Sequence, residues 1–396
     1  MSLTLSTAGE SHGPGLTALV EGLPAGLELD RDAMNRDMAR RQLGFGRGGR
    51  MKIETDTAEV RSGVRHGRTL GGPVALWVVN RDYQNWEERM NPWPVEGETP
   101  PVHMPRPGHA DMVGVWKYGH DDVRNVLERA SARETAARVA GGTLAKAFLR
   151  ALGVEIRSHV TQIGPVHAPV ADRPLTVADF EGIDDDPVRT LDAETSKAMV
   201  KHITVERKAN ESIGGAYEVL TFGLHPGIGS HVSWQERLDG RLAQAICSIQ
   251  AHKGVEFGDG FTLAETPGSK AQDEIFGIDD AEEGDVHTGA VRRRTNHAGG
   301  LEGGMTNGNV LVVRAAVKPI PTITKPLRSV DLSTGEPAKA LRERTDNCVV
   351  PAAGVVGEAM IAMVLAAAYR EKFGGDHIDD VKAAVAAYEA RIGWTR

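Results

Sequence analysis

Cysteine is scarce in this sequence. Cys247 and Cys348 are the only two, and their spacing offers neither a metal motif nor a disulfide framework. That fits a reducing compartment, so a cytoplasmic location is the expectation. Basic charge is not in excess either. The formal net charge is −8, which argues against nucleic acid as a partner. The Ser2–Gly9 stretch is too short and too polar to read as a signal peptide. The longest apolar run, Ala352–Tyr369, is interrupted by Gly354, Gly357 and Glu358. It reads as a buried core helix stopped by Gly374 and Gly375, and no membrane span is expected. Neither H-x-H nor H-E-x-x-H occurs, and adjacent residues such as His120, Asp121 and Asp122 rarely converge on one ion. No metal is therefore assigned. Low-complexity tracts, short repeats and breaks in composition are missing as well, so residues 1–396 read as a single domain.

Glycine, by contrast, is abundant at 46 residues, while aromatics amount to 5%. That balance points to tight turns and close backbone approach. Charge is laid out unevenly. Arg36, Arg40, Arg41, Arg47, Arg50, Lys52, Arg61, Arg65 and Arg68 crowd one stretch, opposed only by Asp37, Glu54, Asp56 and Glu59. A local basic patch on an acidic protein suits a small anionic ligand better than a polymer; a solvated charged face is the plain alternative.

The stretch His103–Glu134 carries the densest chemistry. Pro105, Pro107 and Gly108 rule out a regular helix before His109 and make a fixed loop holding Arg106 and His109. Ser131-Ala132-Arg133-Glu134 has the capping-box pattern and predicts a helix start near Ala132. Free N–H groups at such a start, with Arg129 just ahead of it, suit a phosphate. Earlier in the chain, Gly9-Glu10-Ser11-His12-Gly13 places an acid, a hydroxyl and an imidazole in one loop before the apolar strand Leu16–Val20. Gly44–Gly49 matches G-x-G-x-x-G. A dinucleotide fold is nevertheless rejected, because the motif follows the predicted helix Asp30–Arg41 and runs into an alternating, strand-like Arg50–Thr57. The same loop is expected to close over ligand.

Further strands are predicted at Pro73–Val79, Val154–Ile163, Gly214–Gly223 and Val310–Val317, and helices at Ala132–Leu152 and Trp234–Gln250. Residues 82–101 read as a polar surface excursion and 171–196 as an acidic loop. Gly141 and Gly142 inside a helix cost about 1 kcal/mol each, which close packing on another backbone would offset. Irregular alternation of hairpin-like strands with helices argues for an α+β fold over regular βαβ units.

In order, GESHGPGLTALVEGLPAG, RRQLGFGRGGRMKIETD, HMPRPGHADMVGVWKYG, ERASARETAARVAGG, SIQAHKGVEFG, NHAGGLEGGMTNG, VKPIPT and RTDNC resemble the signatures of the chorismate synthase family. The blocks run from Gly9 to about Cys348. The resemblance implies a β-α-β sandwich with antiparallel sheets around central helices, usually assembled as a homotetramer. It implies a lyase that converts 5-enolpyruvylshikimate 3-phosphate to chorismate and phosphate by 1,4-anti elimination, with reduced FMN as cofactor. NADPH enters only indirectly, through a separate flavin reductase, or directly in bifunctional members; the chain has no obvious extra segment, so the monofunctional form is expected.

The same resemblance assigns roles. His12 is the proton donor to the departing phosphate, His109 the partner of the reduced flavin, and Asp346 the aspartate beside the flavin. Ser11 is a candidate proton relay. The family's Arg-His-Asp or Arg-Ser-Asp motif is here Arg344-Thr345-Asp346, so the middle side chain carries no assignment. FMN contacts carry over to Arg129, Ala130, Ser131, Gln250, Ala251, Gly303, Lys318, Pro319, Ile320, Pro321, Thr322 and Arg344. Arg41 and Arg47 match NADP-binding positions, and substrate anions are their physically simpler ligand. A metal-dependent phosphohydrolase and a flavin-storage protein are the competing readings of the residues taken alone.

Overall fold

The computed structural model describes residues 3–48, 55–97, 99–280, 282, 286–288, 291–341, 343 and 346–394. Two antiparallel sheets enclose a layer of helices, the α+β sandwich expected from the family resemblance. The first sheet runs in the order Thr4–Ala8, Gly15–Glu21, Val74–Val79, Glu59–Val60. Its register sets Leu16 beside Val78, Ala18 beside Leu76 and Val20 beside Val74, and all six are fully buried. Alternate residues of a strand share a face, so one apolar face forms and must be covered. The second sheet runs His252–Phe257, Leu311–Val317, Gly215–Phe222, Glu155–Ile163, Val166–His167.

Helix Thr135–Ala151 covers the first sheet and helix Val350–Phe373 the second, and the two pack on each other between the sheets. The latter is apolar on all sides because neighbours surround it on all sides. Its contact with the other helix depends on glycine: a Cβ on Gly142 would overlap Ala359, and one on Gly141 would press into Leu5.

A closed network of charges lies within this packing. Fully buried Glu358 accepts from Arg40 Nη1 and Nη2 at 2.8 Å each, from Lys146 Nζ at 2.5 Å and from Ser158 Oγ at 2.6 Å. Asp37 binds Arg40 at 2.7 Å and Lys146 at 2.9 Å, while Asp184 takes Nε of both Arg40 and Arg189 at 2.8 Å. Burial alone would push the Glu358 carboxyl up, but Arg40 and Lys146 hold it well below the usual range.

Several expectations need correction. The helix read at Trp234–Gln250 is confined to Leu238–Cys247, and strand His252–Phe257 begins in the following segment. The Ser131 cap is half a capping box: its hydroxyl accepts from Arg133 N at 3.2 Å, but Glu134 turns to Thr7, Arg138 and Gln250. A short 3-10 turn, Ala132–Glu134, therefore precedes the α-helix. Helices Asp111–Tyr118, Arg124–Ala130, Ala193–Lys208 and Ile378–Ile392 have no counterpart in the sequence reading. Residues 50–54 of the strand expected at Arg50–Thr57 lie outside the described residues, and 55–57 form no strand.

Candidate active site

Strand ends, helix starts and loops at one end of the sandwich enclose a cavity of about 500 Å³, a volume typical of small-molecule sites. His12 reaches it from the hairpin between Thr4–Ala8 and Gly15–Glu21. That hairpin turns at Gly9, whose φ of +109° and contact with the Gly15 carbonyl exclude a side chain. Asn80 Nδ2 pins the loop by donating to the carbonyls of Glu10 at 3.0 Å and Gly13 at 2.8 Å. His12 Nδ1 lies 3.0 Å from both carboxylate oxygens of Glu128, and the Trp86 ring stacks on the imidazole at 4.0 Å.

His109 comes from the Pro-bounded loop. Its Nδ1 is 2.5 Å from Asp111 Oδ1, and Arg106 Nε donates to Asp111 Oδ2 at 2.8 Å. Asp111 is fully buried. Burial would raise its carboxyl, but the hydrogen bonds from His109 and Arg106 outweigh that and hold it far below the usual range. Both histidines thus have Nδ1 against a buried carboxylate.

The cavity wall is strongly cationic. Arg41, Arg47, Arg106, Arg133 and Lys318 all border it. Arg41 and Arg133 share the buried carboxylate of Asp56, the latter at 2.6 Å. Burial pushes Asp56 up and these two guanidiniums bring it below its ordinary value. Arg47 Nη1 meets Asp346 at 3.0 Å, and Asp346 Oδ1 accepts from Gly48 N at 2.5 Å. The first turns of helix Val350–Phe373 also border the cavity through Ala352, Ala353 and Val356, adding the partial positive charge of a helix N-terminus.

His12, His109, Asp346, Arg41, Arg47, Ser11, Ala130, Ser131, Gln250, Ala251, Lys318, Ile320, Pro321 and Thr322 line this one cavity. Lys318 Nζ donates to the Gly108 carbonyl at 2.7 Å, and Thr322 Oγ1 accepts from Arg106 at 3.0 Å. Pro319 stands between lining residues without facing in. Arg129 borders an adjoining cavity of about 260 Å³, where it donates to the Thr7 carbonyl at 2.8 Å; Gln250 borders both. Gly303 lies in the turn between strands Leu301–Glu302 and Met305–Thr306, outside the lining of either cavity. Arg344 falls outside the described residues.

Sequence reasoning missed several partners. Glu128 and Arg133 sit inside the ERASARE block and Asp111 just after His109, so closeness to the motif was the available signal. Trp86 carried none. The 82–101 excursion is not all surface, because Asp82 is buried and Trp86 covers His12. Among the described residues, no group of His, Cys, Asp and Glu suits a metal ion.

An antiparallel sandwich presenting two carboxylate-backed histidines in an arginine-rich cavity has the chemistry to receive a small, multiply anionic molecule and to exchange a proton with it. Residues 3–369 match the family model described as chorismate synthase. Curated relatives named chorismate synthase include one from Rubrobacter xylanophilus, 54% identical over 99% of this chain and 98% of its own. Another, from Acidothermus cellulolyticus, is 54% identical over 96% of this chain and 97% of its own. A crystal structure of chorismate synthase matches with a TM-score of 0.79 and 39% identity, covering 99% of each chain. The chain belongs to the chorismate synthase family, the carbon–oxygen lyases that complete the shikimate pathway by forming chorismate from 5-enolpyruvylshikimate 3-phosphate. The family requires reduced FMN.

Proposed function

We propose that the 500 Å³ cavity binds 5-enolpyruvylshikimate 3-phosphate beside reduced FMN, and that His12 protonates the departing phosphate. The observation that carries this reading is the convergence of His12, His109 and Asp346 with Arg41, Arg47, Arg106 and Arg133 on one cavity. The substrate brings two carboxylates and a phosphate, and planar guanidiniums bind such groups through paired hydrogen bonds. Negative charge grows on the phosphate as the C–O bond breaks, and a histidine can meet it with a proton near neutral pH.

The residues present fit FMN. Arg41 Nε and Gln250 Oε1 are buried without a hydrogen-bond partner among the described residues, giving one unused donor and one unused acceptor in the wall. Ile249, Val317, Ile320 and Val356 supply an apolar face for a flat ring. Ala130, Ser131, Gln250, Ala251 and the Lys318–Thr322 segment would hold the cofactor, with Arg129, Gly303 and Arg344 contributing as the family resemblance implies. When bound, the reduced flavin supplies a transient electron for C–O cleavage and a base for the C6 hydrogen. Around it, Asp111 orients His109, and Arg47 with Gly48 N fixes Asp346.

The remaining features follow from the same reading. Arg41 and Arg47 bind substrate anions. The enzyme is monofunctional and draws reduced FMN from a separate reductase, with NADPH acting only indirectly. It works in the cytoplasm as a homotetramer of single-domain chains. Anaerobic turnover of 5-enolpyruvylshikimate 3-phosphate tests the proposal: chorismate and phosphate should appear only with dithionite-reduced FMN. Phosphate release without chorismate, or turnover indifferent to flavin, would overturn it. Turnover with NADPH and oxidised FMN alone would instead show the bifunctional form.

A further inference from the structure

We infer that Glu128 is the positioning residue of His12: it accepts from Nδ1–H and offsets the charge of the imidazolium, so that the hydrogen on Nε2 is the one passed to the leaving phosphate. The inference rests on the reading of His12 as proton donor. Its basis is a closed clasp of contacts. Glu128 is almost wholly buried. Both of its oxygens lie 3.0 Å from His12 Nδ1, and Oε2 also accepts from the backbone N of His12 at 2.8 Å. The Glu128 carbonyl accepts from Ser11 N at 3.1 Å. One residue therefore grips the histidine by ring and main chain together.

The grip is itself held. Arg124, one helical turn earlier, donates to Glu128 Oε1 at 2.7 Å. Its guanidinium also sits 4.9 Å from the centre of the Trp86 ring, which stacks on the His12 imidazole at 4.0 Å. Glu128, His12, Trp86 and Arg124 thus close a ring in which the imidazole can neither flip nor tilt without breaking a contact. Burial would push the Glu128 carboxyl up, yet its hydrogen bonds to His12 and Arg124 hold it below its ordinary value, so it is an anion in the working pH range. An anion can only accept, and Nδ1 must then carry the hydrogen. The imidazolium has its second hydrogen on Nε2, and on giving it to the phosphate the ring keeps Nδ1–H on Glu128; in serine proteases replacing the equivalent carboxylate costs about 10⁴-fold.

The test is a double-mutant cycle with His12→Ala and Glu128→Gln on the full-length enzyme, assayed with reduced FMN under anaerobic conditions. Glu128→Gln should lower kcat by roughly 10²-fold and leave KM within about threefold. In the His12→Ala background it should cost nothing further, because Glu128 acts only through the histidine. An equal additional loss in that background would make Glu128 a structural residue and overturn the inference. Full activity of His12→Ala would instead overturn the donor reading on which it rests. Glu128→Asp, which keeps the charge, should recover part of the rate, and no recovery counts against the inference. Ring-labelled ¹⁵N histidine spectra of the wild type need no variant to fold: the His12 signal should report hydrogen on Nδ1, and hydrogen on Nε2 of the neutral ring would sink the proposal.

Discussion

Arg40 and Arg41 are chain neighbours at the end of one helix, yet they belong to different kinds of charge cluster. Arg40 points into the core. There it joins Lys146 and Arg189 against Asp37, Asp184 and Glu358, and every donor of its guanidinium that meets these acids is matched. Arg41 points into the cavity wall. It shares Asp56 with Arg133 and keeps Nε unused among the described residues. A cluster closed on itself can only hold structure, because any change leaves a charge buried alone. A cluster with spare donors at a cavity has capacity for a ligand's oxyanions.

The largest expected effect breaks the closed cluster. Glu358→Ala should destabilise the fold by about 3–5 kcal/mol, since it leaves cations uncompensated in the core. Chemical denaturation should read this, while turnover per folded molecule stays near wild type. A loss of turnover without loss of stability would merge the two clusters.

Acid titration should then tell the regions apart by about 3 kcal/mol. His252 borders the cavity and is buried against Tyr217, and burial pulls its pKa from 6.5 down to about 4. The unfolded chain therefore takes up a proton first as pH falls. Stability is complete above pH 6.5, declines toward pH 4 and is flat in this respect below it. The carboxylates behave otherwise. Glu358 and Asp37 of the closed cluster are held below their ordinary values, so their contribution persists to about pH 4 and is lost below it. Urea midpoints from pH 8 to pH 3 should show two separate declines, and His252→Asn should remove the upper one.

Arg41→Met should mirror Glu358→Ala at smaller scale. Losing charged hydrogen bonds to substrate costs about 1.5–3 kcal/mol, a fall of roughly 10–100-fold in kcat/KM. Stability should change by only about 1 kcal/mol, because Asp56 keeps Arg133. The smallest effect belongs to Ser131→Ala, which removes the cap on Arg133 N. A loss of about 1 kcal/mol in stability is expected, and a much larger loss of activity than of stability would mean that Ser131 serves the cofactor or, through its Oγ donating to Ser11 Oγ at 3.1 Å, the chemistry.

Much of this was legible in the sequence. Strand Val74–Val79 declared itself by its apolar run, helix Arg31–Arg40 by its Asp30 cap, and the core helix by its composition. The paired glycines predicted the close contact that Gly142 makes with Ala359. The two short helices after His109 were not legible, because a helix of seven or eight residues has too few turns to show a period. Arg106 was visible on its loop, but its bidentate hold on Asp111 was not.

By itself the sequence determined the residue types, the Pro-bounded loop, the family and hence the reaction, because local backbone limits and ordered motifs are written along the chain. Only the tertiary structure decided which of two adjacent arginines faces a ligand and which carboxylate stands behind each histidine. Glu128 is 116 residues from His12, and Asp56 is 77 from Arg133. Contacts across such separations are set by how the sheets and helices pack, and no local period or propensity encodes them.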